Sequence, residues 1–128
     1  MCPLCGCQHE EAGHLFFHCK MTRGLWWESM CWIQAIGPFS ADPANHFIQF
    51  CDGFGAGRNL SRRGGWWIAL SITIWQHRNS VLFHGIPFEP QKVLDDALIL
   101  AWSWLKCGEK GFNTSFNHWS TNLMMAFG

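Results

Sequence analysis

Three features that the chain lacks limit what it can be. It has no tyrosine, so its nine tryptophans and eleven phenylalanines supply large apolar rings that must be buried or partnered. It has no net charge, whereas proteins that hold nucleic acid unaided usually carry a basic excess for phosphate contacts. Its longest apolar runs, residues 66–75 and 97–105, fall well short of the roughly 20 residues that span a bilayer. We therefore expect neither a membrane protein nor a strong, independent nucleic-acid binder.

The cysteines and the N-terminus do not resemble those of a secreted protein. Seven is an odd number for a disulfide framework, and the chain begins without the charged, apolar and small-residue order of a secretory leader. We expect an intracellular protein, in the nucleus or cytoplasm, with reduced thiols. Its 128 residues suffice for one domain with a core, or for a small metal module followed by a helical segment.

Four residues near the N-terminus have the spacing of a zinc site. Cys2, Cys5, His14 and Cys19 form the pattern C-x2-C-x8-H-x4-C. A Cys-x2-Cys turn lets two thiolates converge on one ion, and zinc takes four such ligands at tetrahedral corners. The apolar residues between His14 and Cys19 would pack beneath the metal. The sequence therefore predicts a bound Zn²⁺ as cofactor.

Other residues of the same segment compete for the ligand positions, namely Cys7, His9 and His18. On a regular helix His14 and His18 share a face, whereas His14 and Cys19 lie about 140° apart. A Cys-Cys-His-His set ending at His18 therefore stays open. Cys19 serves as the fourth ligand where the helix is only beginning or the turn is irregular. The alternative without a metal is a set of ordinary reduced thiols and surface histidines.

The metal motif and the Leu-Trp-Trp run after it resemble the zinc-binding domain that follows the polymerase in plant non-LTR retroelement reverse transcriptases. The matching residues are Cys2, Cys5, Glu11, His14, Leu15, Phe16, Phe17, Cys19, Leu25 and Trp26. A second stretch, TIWQHRNSVLFHG at residues 73–85, is similar to the segment that follows this domain in the same elements. The resemblance implies Cys2, Cys5, His14 and Cys19 as the ligands. It also implies a role in helping a reverse transcriptase engage its nucleic acid.

The resemblance covers roughly residues 1–106 and departs from the family at the start. Met1 stands directly before the first ligand, where the family has a polymerase, a connecting segment and a leading helix. We therefore expect a fragment whose natural partner includes a polymerase domain absent from this chain. A retroelement remnant without function is a further interpretation.

The few basic residues provide the candidate contacts for weak binding of RNA or DNA. They form two groups, Lys20 with Arg23, and Arg58 with Arg62 and Arg63. The second group lies in a glycine-rich segment, and a solvated loop is the simpler interpretation of it. No strand is predicted before the glycines of this segment, Gly53, Gly55 and Gly57, and no Gly-Lys-Ser/Thr follows them. A phosphate-binding loop is therefore not expected.

No catalytic constellation is predicted. Asp95 and Asp96 mimic the paired aspartates of a polymerase palm, but they follow a helix start at Pro90, where acidic residues offset the helix dipole. A zinc ion held by four protein ligands also has no open position for chemistry. We expect a protein that is not an enzyme and has no small-molecule substrate.

The fold class predicted from periodicity is mainly α, a small N-terminal zinc-binding turn followed by a few helices. One helix is expected from Gly13 to Ile36, interrupted near Gly24, and a short one begins at Pro43 behind a cap at Asp42. Helices over residues 66–83 and 90–106 are expected to pair as a C-terminal helical hairpin across a proline turn.

The predicted organisation has four parts. They are a zinc-binding module at 1–36, a connector with one short helix at 37–65, the hairpin at 66–106 and a poorly ordered tail at 107–128. The apolar arc of the first hairpin helix is wider than a surface helix needs. This gives a second functional hypothesis, a zinc-stabilised interaction module that docks a partner through a tryptophan-rich helical face.

Overall fold

The computed structural model describes residues 1–33, 39–52 and 60–127, and it is helical as predicted. A π-helical turn at His14–His18 is followed by α1 at Arg23–Trp32, α2 at Pro43–Asp52 and α3 at Leu60–His84. The chain continues with α4 at Pro90–Gly108, α5 at Phe116–Ser120 and α6 at Leu123–Phe127. The described residues contain no strand, so the mainly α class is confirmed. Within the same ranges, no helix is both long and apolar enough to cross a bilayer.

The longest helices, α3 and α4, form the predicted hairpin and carry most of the fold. Gly85 ends α3 in the left-handed conformation at φ +64°, and its N–H donates to the Val81 carbonyl at 3.2 Å. Pro90 opens α4, where a missing N–H costs nothing. The two helices bury apolar side chains against each other, among them Leu70, Ile74, Val93, Leu94 and Ala97. The first helix of the hairpin, α3, begins at Leu60, six residues before its predicted start at Trp66.

The predicted segments share one hydrophobic core. Phe17 of the π turn and Trp26 of α1 belong to the same cluster of buried residues as Trp66 of α3 and Phe127 of α6. Trp32 of α1 packs against the rings of Trp66 and Phe127, with centroids 5.1 and 5.9 Å away. The segment that carries the candidate ligands, residues 2–19, is called the metal segment. It is folded onto the helical hairpin through Phe17, and it also has a small buried cluster of its own, formed by Cys2, Leu15 and Cys19.

The described residues of the tail beyond residue 107 include two short helices, where the sequence predicted a poorly ordered segment. Its short helices α5 and α6 bury Trp119 and Phe127, whose rings lie 5.6 Å apart. Arg62 and Arg63 of α3 donate to the carbonyl oxygens of Ala126 and Phe127 at 3.3 and 2.8 Å. Because each helix has only five residues, no periodic pattern marked it in the sequence.

The first two helices agree with the predictions in part. The predicted helix over 13–36 is divided between the π turn and α1, with the break at Cys19–Thr22 ahead of Gly24. The predicted end of this helix at Ile36 lies outside the described residues. The Asp42 cap of α2 is confirmed, since the N–H of Asn45 donates to its carboxylate at 3.1 Å.

Candidate metal centre

The first two cysteines lie on a tight turn at the very N-terminus. The Gly6 N–H donates to the Cys2 carbonyl at 2.9 Å, and the Cys2 N–H donates to the Gln8 carbonyl at 2.7 Å. Gly6 has φ +66°, a left-handed conformation that favours glycine. The N–H of Cys7 points back at the Cys5 sulfur, 3.5 Å away. This is the arrangement that a Cys-x2-Cys metal turn requires.

The second pair of candidate ligands flanks the π turn. The Cys19 N–H donates to the His14 carbonyl at 2.7 Å, five residues back, where a regular helix would bond four residues back. This wider turn brings Cys19 round beside His14 and removes the 140° offset that a regular helix would impose. The buried Thr22 hydroxyl donates to the Leu15 carbonyl at 2.9 Å and so helps the chain leave the turn. Such π turns occur frequently at functional sites.

The two turns bring together the four residues that the sequence predicted. The side-chain ligand atoms of Cys2, Cys5, His14 and Cys19 all lie within 4.8 Å of one another. The sulfurs of Cys2 and Cys19 are 4.0 Å apart, and the Cys5 sulfur is 3.3 Å from Nε2 of His14. Tetrahedral zinc needs sulfur–sulfur separations of about 3.8 Å and sulfur–nitrogen separations of about 3.6 Å. This group can therefore hold a metal ion.

His18, the alternative fourth ligand, is exposed and does not belong to this group. Cys19 instead is fully buried and packs with Cys2 and Leu15 in a small apolar cluster. The structure thus brings Cys19 to the site and leaves His18 beside it. Which metal the group binds stays a prediction.

The electrostatics of the thiols fit a bound cation. The N–H of Cys7 lowers the pKa of Cys5 to about 6, and the His14 ring acts in the same direction. Burial raises the pKa of Cys19 to about 12, and the neighbouring Cys2 and Cys5 sulfurs add to the rise. A buried thiolate beside two other sulfurs is costly without a positive partner. A metal ion supplies that charge and ionises the thiols that bind it.

Known proteins give no support for an assignment, since no family model matches the chain and no curated protein or solved structure is significantly similar to it. The resemblance to a reverse transcriptase zinc-binding domain therefore rests on the motif residues alone. The geometry of the cluster stands independently of that resemblance.

The metal segment is fixed to α3 by two contacts that the sequence did not reveal. Glu10, between the two ligand pairs, accepts two hydrogen bonds from the Arg78 guanidinium, at 2.6 and 3.0 Å. This ion pair holds the pKa of Glu10 below its ordinary value. Phe16 of the π turn stacks on Trp75, with ring centroids 6.5 Å apart. The cluster is therefore anchored on the hairpin.

Two of the predicted nucleic-acid contacts lie beside the metal cluster. Lys20 and Arg23 are exposed, and together with His18 they line a surface cleft of about 360 Å³ that reaches Cys5 and His14. Trp27, which the sequence reasoning did not single out, is 60% exposed one turn after Arg23. The Arg23 guanidinium lies over its ring, 5.6 Å from the centroid.

The two members of the second basic group that the structure describes make contacts within the fold. Arg63 is 4% exposed, so it cannot contact a phosphate, and the prediction for it is wrong. Arg62 is partly exposed and makes a two-point ion pair with Glu109 at 2.6 and 3.0 Å, so its charge already has a partner within the fold. Both side chains make tertiary contacts with the tail, which the sequence pattern does not indicate. Arg58 and the loop glycines lie outside the described residues.

The two aspartates that mimic a polymerase pair are surface residues with separate partners. Asp96 lies 2.8 Å from Nε2 of His77, and Asp95 accepts a hydrogen bond from the Gln91 amide at 3.0 Å. Both side chains are exposed on α4, away from the cysteine cluster.

Proposed function

We propose that this chain is a non-catalytic zinc-binding module of retroelement reverse transcriptase origin that helps engage nucleic acid. The observation that carries the metal part is the convergence of three sulfurs and one imidazole nitrogen within 4.8 Å. A Cys₃His set is typical of structural zinc, and soft thiolates disfavour magnesium, calcium and manganese. Cys2, Cys5, His14 and Cys19 would hold the ion. Because they fill all four corners, the ion would organise the N-terminal segment and would activate no water.

The support for nucleic-acid engagement comes from the cleft beside the cluster. Lys20 and Arg23 supply positive charge for phosphates, and the exposed indole of Trp27 supplies a face on which a base can stack. Two cations neutralise few phosphates. We therefore expect weak, sequence-tolerant and salt-sensitive binding, no tighter than the non-specific range of about 10⁻⁴ to 10⁻⁶ M at physiological salt.

The test combines metal content with a salt titration. The purified chain should contain one zinc per molecule. Its affinity for single-stranded and structured RNA should fall with salt, and the Lys20→Ala/Arg23→Ala double variant should lower the salt slope by roughly two. The matched control is Lys92→Ala/Lys110→Ala, which removes the same charge from exposed positions elsewhere and should leave the slope unchanged.

Two results would contradict separate parts of the proposal. A chain without stoichiometric zinc would contradict the metal assignment. RNA binding that is absent or independent of salt would contradict the nucleic-acid role and favour the interaction-module hypothesis, since apolar docking has little salt dependence.

A further inference from the structure

One side of α3 exposes a row of large apolar side chains to solvent. Ile68, Ile72, Trp75 and Leu82 follow at spacings of four, three and seven residues, which places them on one face of the helix. They are 43, 39, 45 and 49% exposed, and the adjacent Phe83 is 68% exposed. We call these five residues the α3 stripe. Single exposed hydrophobic residues are ordinary, but a contiguous row on one helix marks an interaction surface.

The opposite side of α3 is fully used by the core. Trp66, Leu70 and Ile74 have no measurable exposure, so α3 is apolar on two sides. A helix that is apolar nearly all round belongs in a buried position. The stripe therefore calls for a second layer of protein.

We propose that the α3 stripe packs antiparallel against the same stripe of a second copy of this chain, forming a symmetric dimer. A twofold interface requires a surface that is complementary to itself. With the axis midway between Trp75 and Asn79, Ile72 lies opposite Leu82 of the second copy. Trp75 then lies opposite Asn79 of the second copy, so a bulky indole meets a smaller side chain. The spacing of the stripe is thus compatible with antiparallel packing of two identical stripes.

No charge opposes this pairing. Between residues 65 and 83, Arg78 is the one lysine, arginine, aspartate or glutamate of α3. Its guanidinium is neutralised by Glu10 at 2.6 Å, and the nearby His77 ring faces Asp96. The two α3 helices can therefore approach without like-charge repulsion between their own side chains, which would otherwise select against a self-paired interface.

The exposed area matches the apolar core of a modest interface. From their exposed fractions, the five side chains offer roughly 400 Å². A standard interface buries about 800 Å² per partner, of which about 60% is apolar. The stripe supplies most of that apolar share and the surrounding polar residues supply the rim. The dimer should accordingly dissociate on dilution.

The first test measures mass by sedimentation on the full, zinc-loaded chain. Its mass should rise with concentration from 14.7 kDa toward twice that value. Ile72→Lys and Leu82→Glu should each stay monomeric, and an equimolar mixture should regain the dimer because the lysine faces the glutamate across the axis. The matched control, Ile99→Lys, changes a 50% exposed isoleucine on α4 and should dimerise like the parent. Far-UV circular dichroism verifies that each variant folds.

The second test fixes the alignment of the two helices. Oxidised Trp75→Cys/Asn79→Cys should give a disulfide between position 75 of one copy and position 79 of the other, identified by mass spectrometry of the digest. A chain that is monomeric at every concentration overturns the proposal and assigns the stripe to a different protein. A mixture of charged variants that stays monomeric, or a link from position 75 to position 75, overturns the antiparallel pairing.

Discussion

At the scale of single residues, the thiols of the candidate ligand group differ in how easily they ionise. Cys19 is fully buried and its pKa is raised to about 12, whereas an N–H lowers that of Cys5 to about 6. At neutral pH the Cys5 thiol is therefore largely ionised and can bind a metal directly, whereas the Cys19 thiol would lose its proton only on binding the metal. Metal binding should accordingly release protons.

We expect Cys19→Ser to weaken zinc binding by more than about 100-fold, because even the outer partners of zinc ligands are worth 10- to 100-fold. His18→Ala should bind zinc like the parent, since His18 lies outside the group. Competition with a chromophoric chelator measures both. Cys7→Ser is the control, because Cys7 is an exposed cysteine outside the group; its N–H points at the Cys5 sulfur, and its thiol donates to the Cys5 carbonyl at 3.2 Å, a bond that a serine hydroxyl can keep. Undiminished binding by Cys19→Ser with loss in His18→Ala would establish the Cys-Cys-His-His set instead.

His46 is a buried histidine whose role the sequence did not indicate. It is 2% exposed, it stacks on Phe17 at 3.9 Å, and its Nδ1 accepts a hydrogen bond from the Trp67 indole at 2.9 Å. Its remaining proton is therefore on Nε2. Burial lowers the pKa of His46 to about 4, and the nearby His18 contributes. The folded chain thus keeps this ring neutral.

Because the unfolded chain takes up this proton at an ordinary pKa near 6.5, His46 destabilises the fold as pH falls from about 6.5 to about 4. The free energy of unfolding should drop by about 2 kcal/mol from this source between about pH 7.5 and pH 5. His46→Asn keeps an acceptor for Trp67 and should lack this part of the drop. Urea unfolding of both proteins at the two pH values measures it, and the loss of a bound metal at low pH would affect both proteins alike. Parallel pH profiles would refute the assignment.

At the scale of elements, the sequence anticipated what depends on local pattern. The α3–α4 hairpin follows from apolar periodicity and from the glycine and proline that separate its helices. The Cys and His spacing indicated the candidate metal group but left His18 open as an alternative to Cys19. The π turn could not be predicted, because a hydrogen bond between residues five apart has no sequence signature. The 140° angle between His14 and Cys19 was calculated for a regular helix. Arg62 and Arg63 looked like loop cations because their partners, Glu109 and the α6 carbonyls, are more than 40 residues away.

The helices of the tail should stabilise the whole fold. Phe127 is 1% exposed between Trp32, Trp66 and Trp119, so Phe127→Ala should cost about 3 to 5 kcal/mol of unfolding free energy. The control Met125→Ala, at an 80% exposed position two residues earlier, should stay within about 0.5 kcal/mol of the parent. Urea denaturation measures both. Equal, small effects would show that the tail does not belong to the core.

At the scale of the whole molecule, the metal segment and the helices share buried contacts, so we expect them to unfold together. Phe17 lies in the main core, and the Glu10–Arg78 ion pair adds a second link to α3. A metal bound only by the folded chain stabilises everything that unfolds together with its site. A metal ion held by the four candidate ligands should therefore stabilise the distant helices as well.

We expect a strong chelator to lower the melting temperature of the entire chain. Tryptophan fluorescence and far-UV circular dichroism should report one shared transition with and without metal, as a single core implies. In Cys19→Ser the chelator should produce no further shift. A chelated chain in which the hairpin melts at an unchanged temperature, after the N-terminal segment, would show that the two fold independently.

The π turn also governs how the sequence tolerates a change in length. Deleting one residue between His14 and Cys19 would leave an H-x3-C pair, which a regular helix presents on one face. The ligands would be kept, but the three residues left between them would follow the phase of a regular helix. Leu15 lines the metal cluster, Phe16 contacts α3 and Phe17 enters the main core, and these three side chains could not all keep their present directions. The additional residue of the π turn thus lets His14 and Cys19 face the metal while the side chains between them face α3 and the core. A shortened variant would have to repack where the metal segment meets α3.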